Sequence, residues 1–205
     1  RVRVTDDSGG DLLSESWNLY DDHLSYSMAP SDGILTGVRS LLYCVNNDCT
    51  IDGNKRYADT QTDYDNYGNA VVQTRYTGIG TAGSVFQGDP LSTYTCYGGG
   101  GFTGCTDDTY HTYALWMKNA KNHITYVDYS GIAVPGTSYT GYTLGLPVSE
   151  TDPNGAVTSA TYDEYGRFKS LARPTEAGPS ETPPSLNVSY INSPFQVTLT
   201  QAIDT

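Results

Sequence analysis

The tetrapeptide Asp-x-x-Gly recurs five times, at Asp6–Gly9, Asp65–Gly68, Asp128–Gly131, Asp152–Gly155 and Asp163–Gly166, and it restricts what the chain can become more than any other feature. A type I turn favours Asp at its first position, where the carboxylate accepts from backbone N–H groups ahead, and Gly at its fourth, where positive φ is common. Residues able to form strands flank the turns. Ala156–Tyr162 and Arg167–Arg173 enclose the last one, Ala70–Tyr76 follows Gly68, and His123–Val127 precedes Asp128. Leu186–Tyr190 and Phe195–Thr200 alternate apolar with polar residues and read as a further hairpin. The expected fold is all-β: repeated antiparallel hairpins in a twisted strip, with Gly-rich loops and little helix. Only 110–122 could hold a short helix, and Thr-Tyr-Ala-Leu-Trp there reads better as a strand.

Composition supports strands. There are 18 Tyr against 4 Phe and 2 Trp, so apolar burial must come from rings and β-branched side chains and not from Leu-rich helical stripes. The net charge of −12 opposes contact with phosphate backbones and anionic lipid, and the Lys and Arg form no basic stripe, so no nucleic-acid partner is expected. No membrane insertion is expected either, because polar residues break the longest apolar stretch, around 34–45. Both ends of the sequence read as cuts through a longer polypeptide.

Four cysteines form two local pairs, Cys44/Cys49 and Cys96/Cys105, with four and eight residues between them and no His inside. That spacing does not suit zinc. Two disulfides are expected, and with them an oxidising, extracellular or cell-surface location.

Around the last turn, Tyr162-Asp163-Glu164-Tyr165-Gly166-Arg167-Phe168 closely resembles the core of the YD repeat of RHS proteins, with Leu144–Gly155 as the preceding strand and turn. A second copy stands at Tyr64-Asp65-Asn66-Tyr67-Gly68-Asn69, and weaker echoes occur at Tyr20-Asp21 and Asn119–Thr125. The clearest repeats lie near 57–76 and 144–174, within a single segment over 1–205. The resemblance implies a β-strip of the kind that winds into a shell in large secreted bacterial proteins, some of which enclose a C-terminal toxin. Tyr64, Asp65, Gly68, Asp152, Gly155, Tyr162, Asp163, Gly166 and Arg167 are then structural repeat residues. The implied partners are neighbouring repeats or identical subunits at strand edges, with an enclosed toxin or surface glycans as further candidates.

No catalytic residue, metal site or cofactor is expected. Gly78/Gly80/Gly83 and Gly99/Gly101/Gly104 match GxGxxG, but neither opens a helix, and both are expected as flexible loops. Asp63–Gly68 resembles a calcium loop only in part, lacking the carboxylate pattern an EF-hand needs. Two alternatives remain: a carbohydrate-binding adhesin using exposed Trp17, Trp116, Tyr139 and Tyr142, and a filament subunit joined through strand edges.

Overall fold

The computed structural model describes residues 1–6, 11–98, 104–105, 111–129, 145–174, 185–192 and 195–201. It contains thirteen strands among these: β1 (Val2–Thr5), β2 (Leu12–Tyr20), β3 (Leu35–Cys44), β4 (Lys55–Tyr64), β5 (Ala70–Tyr76), β6 (Pro90–Cys96), β7 (Trp116–Lys118), β8 (Ile124–Asp128), β9 (Ser149–Thr151), β10 (Val157–Tyr162), β11 (Phe168–Ala172), β12 (Leu186–Asn192) and β13 (Phe195–Gln201). Pairing is antiparallel and follows chain order. The only helical turns among the described residues are single 3-10 turns at Val45–Asn47 and Asp52–Asn54, so the fold is all-β as the sequence implies. The 110–122 region supplies a strand, β7. No helix among the described residues is long and apolar enough to cross a membrane. Both disulfides are formed, Cys44–Cys49 and Cys96–Cys105.

The chain divides into two compact units, residues 1–95 with 100–104, and residues 96–99 with 105–205. In the first, the inner face of β2–β4 is a ladder of directly opposed side chains: Trp17 faces Arg39, Arg39 faces Asp59, and Leu41 faces Tyr57. Trp17, Leu19 and Tyr57 form the buried core there. A strap of residues 77–89 folds over them and packs Ala82 and Phe86 against the cluster. The strap reaches the sheet by a mutual bridge in which Tyr57 and Gly80 exchange backbone hydrogen bonds of 3.0 Å.

In the second unit no such cover is formed by the described residues. From 111 to 201 none of the described residues is fully buried. Register separates its faces: Ala160, Leu171 and Leu186 lie opposite one another in a row, continued by Val188 against Leu199 and Tyr190 against Val197. The other face carries Thr161, Ser170, Asn187 and Thr200, with Ser189 against Thr198. An apolar face and a hydroxyl face are the alternation expected of an antiparallel meander.

Candidate functional site

The repeat turns come first, because the sequence points to them. At 163–166 the Asp163 carbonyl accepts from Gly166 N–H (3.0 Å), and Asp163 Oδ1 accepts from the N–H groups of Tyr165 and Arg167, both at 2.9 Å. Gly166 has φ +75°, the left-handed conformation that costs a side chain dearly. This is a type I turn closed by a residue in the left-handed region, and the strand register shifts between Thr161 and Tyr162 as such a turn requires. The turns at 65–68 and 152–155 repeat the scheme: Asp65 Oδ1 accepts from Tyr67 and Asn69, and Asp152 Oδ1 from Asn154 and Ala156, with Gly68 and Gly155 at φ +86° and +84°. The turns expected at 6–9 and 128–131 run into residues outside those described.

A fourth turn has the same geometry without the motif. Asn119 Oδ1 accepts from the N–H groups of Lys121 and His123, and Asn122 takes the Gly position at φ +63°. Asn performs both roles, since its amide oxygen replaces the carboxylate and its side chain tolerates positive φ. A search for Asp and Gly misses it, although it falls on one of the weaker echoes of the repeat.

Tyr has a distinct task. The Tyr64 hydroxyl donates to the Leu35 carbonyl (3.0 Å), Tyr162 to Pro147 (2.9 Å) and Tyr190 to Phe168 (2.8 Å). In each case the ring leaves one strand and latches onto a carbonyl at the beginning of the strand before it. Extending the β3–β4 register by two residues sets Leu35 opposite Asp63, and extending β9–β10 sets Pro147 opposite Thr161. Each latching Tyr is therefore one residue beyond the partner of its acceptor. Arg167 adds a further tie, with Nε on Asp163 Oδ2 at 2.7 Å and its guanidinium 4.2 Å from the Tyr190 ring centroid.

These contacts fix the charge state of the turns. Burial pushes the Asp163 carboxyl up, but the Arg167 and Tyr165 donors outweigh it and hold the group below its usual value. The Ala156 N–H leads the donors that lower Asp152. Asp21 is the extreme case: burial raises it, yet N–H groups from Ser31 to Ile34 converge on its carboxylate and bring it to about 2. Asp65, in the partial calcium loop, is engaged by its own turn. Among the described residues no group of three or more His, Cys, Asp or Glu could hold a metal.

The sequence gives no sign of the other charged centre. Arg39 and Asp59, 0% and 1% exposed, form a two-pronged pair (Nε–Oδ1 2.8 Å, Nη2–Oδ2 3.2 Å). Arg39 also donates to the Thr81 and Ser84 carbonyls of the strap, at 2.9 and 2.8 Å, while Asp59 accepts from Phe86 N–H at 2.8 Å. Its guanidinium lies 5.1 Å from the Trp17 ring centroid and 4.7 Å from that of Tyr57. Beside it, buried Glu15 accepts from Tyr57 Oη, Trp17 Nε1, Arg1, Arg3 and Lys55. Burial alone would raise the Glu15 carboxyl, but these donors and cations lower it. Every one of these charges is engaged within the chain, which is the arrangement of a structural anchor.

Two expectations need correction. The first GxGxxG stretch is not a flexible loop: a Cβ on Gly80 would strike Arg39 and Asp59, and one on Gly78 would strike the Gln87 backbone, so these glycines permit close approach inside the strap. Gly104 of the second stretch has φ +98°, and Gly99 and Gly101 lie outside the described residues. Trp17 is not an exposed sugar platform, being 5% exposed beneath the strap, because its indole N–H needs the buried Glu15. Trp116 is partly buried, and Tyr139 and Tyr142 lie outside the described residues.

No protein-family model matches the chain, and no curated protein matches it.

Proposed function

We propose that this chain is a structural segment of an extracellular protein of RHS/YD-repeat type, contributing hairpins to a β-sheet shell or surface assembly without catalysis of its own. One observation carries the reading: the three Asp-x-x-Gly turns among the described residues share a single hydrogen-bond scheme in which each carboxylate accepts from its own turn's N–H groups. A catalytic carboxylate needs a free face toward a substrate, and in these turns Oδ1 of each Asp is committed to two backbone N–H groups of its own turn. The Tyr latches supply what such a strip requires, a repeated tie from each hairpin to the strand before it. The two disulfides support an oxidising location. Neighbouring repeats or identical subunits are the partners of such a strip, and an enclosed C-terminal toxin is the cargo that the resemblance implies.

Asp163→Ala tests the reading. Its expected outcome is a lower unfolding midpoint in urea with no change in any hydrolytic or metal-binding assay. Full stability combined with loss of a measurable hydrolysis or of metal binding would make the turn an active site and sink the proposal.

A further inference from the structure

Strands β4, β5 and β6 lie side by side inside the first unit, and their register decides which residues share a face. Asp59 accepts from the strap's Phe86 N–H, so Thr60 and Thr62 occupy the opposite face, side chains alternating along the strand. On that face Arg75 and Leu91 continue the row of Thr60, and Gln73 and Thr93 continue the row of Thr62. Together they make a grid roughly 10 Å across the strands and about 7 Å along them, and they line a shallow hollow of about 380 Å³. Two properties set the grid apart. Arg75 is exposed, and its guanidinium makes no hydrogen bond, ion pair or ring contact with the described residues, whereas Arg1, Arg3, Arg39, Lys55 and Arg167 are each salt-bridged. Nor does a carboxylate stand in either row: the one through Arg75 reads Asn18, Val38, Thr60, Arg75, Leu91 from β2 to β6. Asp59 and Asp63 of β4 alternate to the other face, and Asp59 is already neutralised by Arg39. The net charge of −12 is carried elsewhere, and at physiological ionic strength it is largely screened beyond about 8 Å.

We propose that this grid binds an acidic carbohydrate, with the carboxylate of a uronate residue on the Arg75 guanidinium and its hydroxyls on Thr62, Gln73 and Thr93. Charge complementarity asks for an anion, and a guanidinium takes a carboxylate through two parallel N–H donors. The surrounding groups ask for hydroxyls. Thr60 and Thr93 each donate to a carbonyl at 3.3 Å, which leaves their oxygen lone pairs open to a donor. The side chains of Thr62 and Gln73 make no hydrogen bond with the described residues, so both can donate and accept. Leu91, 47% exposed beside Arg75, offers an apolar surface to the C–H side of a sugar ring. An acidic peptide fits this place less well, because an extended peptide gains its main-chain bonds from a free strand edge, and β5 is hydrogen-bonded on both sides. The inference does not rest on the structural-strip reading.

Titration of the intact chain with trigalacturonate at low ionic strength, followed by calorimetry and by the backbone amide NMR signals, tests it. The expected result is saturable binding that moves the signals of Thr60, Thr62, Gln73, Arg75 and Thr93 and weakens as salt is added. The uncharged galactotriose should bind at least about tenfold more weakly. Arg75→Gln, at an exposed position, should keep the urea unfolding midpoint and weaken trigalacturonate by at least about tenfold. Lys121→Gln changes the net charge equally at an exposed site elsewhere, and should leave the affinity within about twofold. Absence of saturable binding up to about 10 mM, equal affinity for galactotriose, or equal weakening by Lys121→Gln overturns the proposal. So does a triglutamate peptide of the same net charge bound as tightly as trigalacturonate, which would leave a site for any anion. Each of these results leaves the outcome of Asp163→Ala, and so the strip reading, untouched.

Discussion

Strands β2–β4 and β10–β13 are built from the same antiparallel ladder, yet they bury their faces differently. The first set lies under its own strap and places Arg39, Asp59, Lys55 and Glu15 among its most buried side chains. In the second no described residue is fully buried, and among the described residues it is held by what runs along it: the ladder, the turns and the latches. In the strapped region the cohesion comes from a few contacts that cannot be removed singly. In the open region it is spread over many small ones. A lesion in one should therefore be severe and local, and a lesion in the other mild.

The largest effect should come from Arg39→Leu. It leaves Asp59 buried without its cationic partner and takes one of two hydrogen bonds from each of the Thr81 and Ser84 carbonyls, and breaking such a pair typically costs about 3–5 kcal/mol. Urea unfolding followed by Trp17 fluorescence, with Trp116→Phe as background, reads the strapped region. A loss under about 1 kcal/mol would mean that the strap is held by Phe86 packing and not by the ion pair. Replacing both partners, as Arg39→Met with Asp59→Leu, should recover much of the loss, because paired removal leaves no orphaned charge.

Gly166→Val is next. A β-branched residue at φ +75° should cost about 1–2 kcal/mol or more, and hydrogen exchange should show the opening confined to β10 and β11. If exchange instead rose equally in β2–β4, the two regions would unfold as one and the contrast drawn above would fail.

Acid should probe the strapped region without mutation. Glu15, Asp21 and Asp163 have folded pKa values below their unfolded ones, so the stability they contribute is present above the ordinary carboxylate range near 4 and is lost as pH falls through the folded values, toward about 2 for Asp21. Asp63 runs the other way, raised by burial and by Asp22. The Trp17 signal should hold at pH 5 and give way between about 4 and 2. A transition centred above pH 5 would place the controlling group elsewhere.

The smallest effect belongs to the latch. Tyr162→Phe removes one hydrogen bond to a partly exposed carbonyl, for about 0.5–1 kcal/mol. Equilibrium urea midpoints should show Tyr162→Phe and Tyr190→Phe losing similar amounts, since each breaks the same kind of tie. No loss from either would reduce the latch to a contact without energy.

Local chemistry made the open region legible. Asp163, Gly166 and the alternation in Leu186–Tyr190 and Phe195–Thr200 carry their geometry within a few residues, and the disulfides close short loops whose spacing is visible in the chain. The strapped region was hidden because its partners are distant: Arg39 and Asp59 read as solvated charges until the β3–β4 register sets them face to face, and Gly78 and Gly80 read as loop residues until the strap brings Arg39 beneath them. Asn119 and Asn122 were obscured for another reason, since the same turn was written in a different pair of residues.

The strap also carries a consequence for the order in which the chain folds. Its ties join Arg39 to residues 42 and 45 positions away, whereas the turn at 163–166 is complete within four residues of Asp163. Loop-closure entropy makes the distant ties the costlier to form first, and Arg39 and Asp59 oppose each other only once β3 and β4 are in register. The hairpins therefore assemble as the chain becomes available, one after another, and the strap closes on a sheet already made. By the same reasoning it is the first part to lift, and a protease should nick it before any strand that it covers.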